Sequence, residues 1–143
     1  MRSSAIARWV VRVTGPALVV LGLLFWAGRA LALLPLHMAL GMLFVLALWA
    51  LAAIAARAGL HRGMVAAAAA WGIVVPLFGI AQTRLLPGPA HWVVRLAHLL
   101  IGIIAMIVAD RLARFIRANL RPPRAPSAAE SPASAARRSI ATP

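Results

Sequence analysis

Four runs of about twenty apolar residues, parted by breaks too short to hold a domain, constrain this chain more than anything else in it. The runs cover roughly residues 9–30, 36–56, 64–83 and 90–110. About twenty residues of helix, rising about 1.5 Å each, cross a hydrocarbon core of about 30 Å. Lipid gives backbone N–H and C=O groups no partner, so each run must satisfy its own as a helix. The expected fold is therefore all-α: an integral membrane four-helix bundle, up-down-up-down, over residues 1–119. Composition agrees, with 64% hydrophobic residues and a mean hydropathy of +0.93, where soluble domains are about half apolar. From residue 120 the chain is Pro, Ala, Ser and Arg. That stretch cannot bury enough apolar surface to order itself and reads as a disordered cytoplasmic tail.

The formal charge of +13 comes from arginine, against two acids, Asp110 and Glu130. The arginines flank the apolar runs or sit in the tail, which points to membrane topology rather than to nucleic acid. Arg2, Arg8 and Arg12, then Arg57 and Arg62, then seven from Arg111 onward share one side; Arg29 and Arg84 hold the other. That asymmetry places both termini in the cytoplasm and the protein in the cytoplasmic (inner) membrane as a multi-pass protein. Residues 2–14 interleave Arg with Ile6, Trp9, Val10 and Val13, an interfacial start to the first span. A rival reading of the start is a cleavable signal peptide ending near Ala30-Leu31-Ala32. The absence of Cys excludes thiol chemistry and thiolate ligation. A lone Asp and a lone Glu exclude paired-carboxylate catalysis, and no soluble domain remains to act as an enzyme by itself.

The last run carries His91, Arg95 and His98. At about 100° per residue these fall within an arc of about 60°, with Gly102 on the same line. Ionisable groups at membrane depth are costly and face a bundle interior, a cofactor or water. The second run opens with His37 and has Gly41 four residues on, as His98 has Gly102. The two outer loops also match, Arg29…Leu33-Leu34-Pro35 against Arg84-Leu85-Leu86-Pro87. A two-hairpin repeat about an axis along the membrane normal is one explanation; chance similarity among Leu-rich runs is the other. Counting back from Arg57 and Arg111 sets His37 level with His91 and puts His98 about 10 Å deeper.

Histidines on two parallel spans suit a b-type haem. His37 is one ligand, and His98 or His91 the other. Gly41 and Gly102 would let a flat ring lie near the backbone, while Arg29, Arg84 and Arg95 would pair with its carboxylates. In these features, from Arg29 to Gly102, the chain resembles the small four-helix membrane subunits of b-type cytochromes. The resemblance implies haem held by His pairs on facing spans and electrons passed between quinol and a partner. Two-haem members carry four intramembrane histidines; here the inner half has none, so one haem near the outer face is expected. Two other classes fit the same residues. One is a non-catalytic accessory, assembly or scaffold subunit, packing through its alanine-rich third span against other membrane subunits or a second copy. The other is a binding or transport protein for an anion or a quinone, with Gln82 added to the stripe.

Overall fold

A computed structural model describes residues 2–119. The tail from residue 120, with Glu130, lies outside the described residues. Four helices follow one another: α1 (Arg2–Trp26), α2 (Leu34–Arg57), α3 (Arg62–Ala81) and α4 (His91–Asn119). Short 3₁₀ turns lead into α2 at Leu31–Leu33 and out of α3 at Gln82–Arg84. All four helices are long and apolar enough to cross a membrane.

The boundaries have local causes. Gly28 and Gly59 adopt φ of +68° and +67°, the left-handed region where a side chain is penalised. That turn lets the Arg29 N–H reach the Leu24 carbonyl and the Leu60 N–H reach that of Ala55, at 2.8 and 3.1 Å. These bonds cap the orphan carbonyls at the ends of α1 and α2. Pro35 stands in the first turn of α2, where a missing N–H costs nothing. Helix α1 runs unbroken through Gly15-Pro16, and α3 through Pro76.

Two boundaries differ from the sequence expectation. Helix α1 starts at Arg2 and ends at Trp26, so the amphipathic start and the first span are one helix. Helix α4 continues to Asn119, more than two turns past Asp110. Its last turns alternate charge with Leu112, Ala113 and Ile116, all buried, so the apolar stripe outlasts the uncharged run.

Each helix packs on the next, α4 closes on α1, and α2 touches α4 across the diagonal. Helices α2 and α4 thus run parallel through the middle. The tight packing is at the end that carries the termini. There Phe44, Leu48, Leu51, Ala52 and Ala55 of α2 meet Ala105, Ala109, Leu112, Ala113 and Ile116 of α4, with Ala7 and Val11 of α1 and Ala68 of α3. Toward the far end, where the α1–α2 and α3–α4 loops lie, Leu21 and Val94 are the buried apolar residues among those described.

Asp110 bonds Arg114 one turn on and lies 3.7 Å from Arg12, tying α4 to α1. The Asp110–Arg114 pairing is the one its four-residue spacing implies. All three side chains are at least a third exposed, so screening is strong. Asp110→Asn should lower stability by no more than about 1 kcal/mol, by less in high salt, as read by thermal unfolding followed by circular dichroism.

Corresponding positions in the two hairpins recur at a constant spacing. His37 and His98 are 61 residues apart; so are Gly41 and Gly102, Phe44 and Ala105, Leu48 and Ala109, Leu51 and Leu112, and Ala55 and Ile116. In α1 and α3, Val11 and Ala68, Gly15 and Gly72, and Gly22 and Gly79 are each 57 apart. Between matched positions the second hairpin therefore holds four more residues than the first. This register aligns His37 with His98, the match implied by the glycines and not the one implied by the loops.

Candidate functional site

His37 enters the bundle one turn into α2. His98 enters two turns into α4. Their ring centroids are 6.4 Å apart, with planes inclined by 51°. The expected 10 Å difference in depth does not hold. Counting from Arg111 assumed that α4 ends there, and its two extra turns shift the whole helix toward the far end relative to that ruler.

Each imidazole is held by the helix before it. The Phe25 ring of α1 meets His37 edge-on, centroids 5.4 Å apart. The Phe78 ring of α3 stacks on His98 at 6.0 Å, nearly parallel. Glycine makes room in both places. A Cβ on Gly22 would sit 3.9 Å from Cε1 of His37, and one on Gly79 would sit 3.4 Å from Cε1 of His98. An alanine at either position would be in ordinary contact with the ring, and only a side chain longer than alanine would crowd it. Phe25, Gly22, Phe78 and Gly79 are absent from the sequence-based site. The signal for the glycines is present in the sequence: Gly15 and Gly22, like Gly72 and Gly79, are seven apart, so each pair lies on one helix face. The phenylalanines leave no such trace, because Leu-rich spans put an apolar residue at every position.

The polar bookkeeping at the pair is incomplete. The Nδ1 atoms of His37 and of His98 are both buried and lack a hydrogen-bond partner. An unmade hydrogen bond at a buried polar atom costs about 1–3 kcal/mol, and here two such atoms sit on neighbouring rings. One turn further in, a Cβ on Gly102 would meet nothing within 4 Å, and one on Gly41 only Leu18 at 3.9 Å. Gly102, one turn from His98, thus has open space at its Cβ position.

The other candidate residues stand apart. His91 is the first residue of α4, and its Nδ1 lies 3.2 Å from the Leu85 carbonyl oxygen, which accepts from the Nδ1–H tautomer. It is a loop anchor two turns from the pair. Arg95 is exposed. On the helical wheel it lies about 60° from His98, which sits at the centre of the buried line. The shared arc is real, but only its His98 edge faces inward. Arg29 and Arg84 are exposed in the two far loops.

Metal–imidazole bonds are about 2.0–2.1 Å. With each nitrogen about 1.2 Å from its ring centre, two imidazoles sharing one ion in line stand about 6.5 Å apart. The His37–His98 spacing matches this. Among the described residues no group of three or more His, Cys, Asp or Glu side chains gathers in one place. The pair therefore suits a group that brings most of its own donors, and haem, which needs only two axial ligands from protein, is one. No protein-family model, curated protein or solved structure matches the chain.

Proposed function

We propose that this protein binds one b-type haem, which His37 of α2 and His98 of α4 would hold, and serves as a one-electron carrier between quinol and a partner membrane subunit. The observation that carries this reading is the pair itself: two half-buried imidazoles at ligand spacing, each with a buried nitrogen that lacks a partner. Bound haem supplies reversible one-electron chemistry. The chain's own contribution is to hold the imidazoles. Phe25 and Phe78 brace the rings, and Gly22 and Gly79 give them room. Gly102, with open space at its Cβ position, would let a flat group come near the α4 backbone. Arg95, one turn toward the far end, and Arg29 and Arg84 in the loops offer bidentate partners to carboxylates. The Arg distribution sets the termini in the cytoplasm of a cell whose inner membrane holds the four spans. The haem would then lie in the outer half, and an electron crossing the whole bilayer needs a further carrier on a partner.

The test is an absorption spectrum of the protein purified in detergent from haem-replete cells, oxidised and then reduced. Six-coordinate low-spin bands at one haem per chain are the expected result. A colourless protein with full helical content would overturn the reading and leave an accessory subunit, or a protein that binds an anion or a quinone.

A further inference from the structure

A second feature lies at the opposite end of the bundle, where the α2–α3 connection turns. Ala56, Gly59 and Leu60 on one side and Arg62, Val65, Ala66 and Ala69 on the other enclose a groove of about 460 Å³. Arg62, Val65, Ala66 and Ala69 fall at i, i+3, i+4 and i+7, one face of α3. The groove therefore runs about 10 Å along the helix axis from Arg62. Small side chains make it: alanine at 56, 66 and 69 and glycine at 59 leave the two helix surfaces apart. Its deep end is fixed, because the Trp49 indole N–H donates to the Ala69 carbonyl at 3.3 Å.

The order of chemistry along the groove is what selects an occupant. A guanidinium stands at the mouth, with Arg57 one turn of chain away in the same connection. Behind it the walls are apolar side chains. A free anion would satisfy Arg62 but leave the walls bare. An apolar helix from a partner would cover the walls but do nothing for the charge. A phospholipid with an anionic headgroup does both, its phosphate on the guanidinium and the start of an acyl chain along Ala66 and Ala69. The mouth is also at the arginine-rich end, where juxtamembrane cations favour anionic lipid.

We propose that this groove is a binding site for one anionic phospholipid, with Arg62 as the headgroup ligand and the Ala56–Ala69 walls as the acyl slot. The site is at the start of α3, whereas Phe78, which stacks on His98, is near that helix's end, and it is independent of the haem reading.

Native mass spectrometry of the whole protein, released from detergent with added phosphatidylglycerol or phosphatidylcholine, tests this. One phosphatidylglycerol per chain should survive at activation energies that strip phosphatidylcholine. Arg62→Gln should weaken its retention about tenfold, the loss of one charge-assisted contact. Ala66→Trp, which fills the slot and keeps the charge, should weaken it similarly. Arg117→Gln, on another exposed arginine at the same end, should change nothing. Equal retention of the two lipids would overturn the proposal. So would an Arg117→Gln effect as large as that of Arg62→Gln, which would mean binding to the basic surface at large. Undiminished retention in Ala66→Trp would show that the slot takes no chain, and would overturn it too. Circular dichroism of each variant confirms that it is folded, and Arg62, being exposed, is not needed for packing.

Discussion

Alanine at His98 is expected to abolish haem binding outright, and alanine at His37 to do the same, with helical content unchanged in both. Neither variant removes a packed apolar group from the tight half of the bundle, so the fold should survive. The two effects should not add: once one axial ligand is gone the other has nothing to pair with, and the double variant should match the single ones. His91→Ala should keep the reduced spectrum at full intensity, because its ring is engaged by the Leu85 carbonyl two turns away. The comparison separates ligation from general disturbance of α4, since both substitutions fall on that helix. Colour that survives His98→Ala but not His91→Ala would show the wrong histidine has been chosen.

The second large effect is expected at Gly72. A Cβ there would overlap the Trp49 indole, with Cδ1 at 2.7 Å, Cε2 at 2.9 Å and the ring nitrogen closer still. The ring cannot retreat freely, because its N–H is bonded to the Ala69 carbonyl. Gly72→Ala should therefore destabilise the protein by about 1–3 kcal/mol, outweighing the helix propensity gained by alanine, which is at most about 1 kcal/mol. Gly15→Ala is the control. Its Cβ would come within 2.6 Å of Met106 Sδ, but that sulfur is near the end of a flexible chain that can rotate away. Its net effect should be close to zero. Thermal unfolding in one detergent compares the two; equal losses would mean that crowding by Trp49 is not what distinguishes Gly72. Gly15 and Gly72 occupy the same position in the two hairpins, so the contrast isolates the neighbour rather than the glycine.

Much of this architecture was legible in the residues. Apolar length and the lack of alternatives for a backbone in lipid dictate four helices, and short loops dictate antiparallel neighbours. The glycines four residues after His37 and His98 gave those two histidines a shared pattern, without showing that their rings meet. Less legible was anything that depends on a second helix. Arg95 shares an arc with His98, yet it turns outward, because an arc of 60° can straddle the edge of a buried stripe. The bracing phenylalanines were hidden among equally apolar neighbours. Depth was misjudged because charge was used to mark the end of α4, while the buried line through Leu112 and Ile116 carries the helix on to Asn119.

By itself, then, the sequence determined that the described chain is a bundle of four apolar helices with histidines on two parallel members, since periodicity, length and the cost of unpaired backbone groups are local properties. Which histidines meet, and what holds them, was decided only in the tertiary structure. That choice rests on the axial register of α2 against α4. The register is set by Phe44, Leu48, Leu51 and Ala55 fitting against Ala105, Ala109, Leu112 and Ile116 at the other end of the molecule, and a rigid helix carries it to His37 and His98.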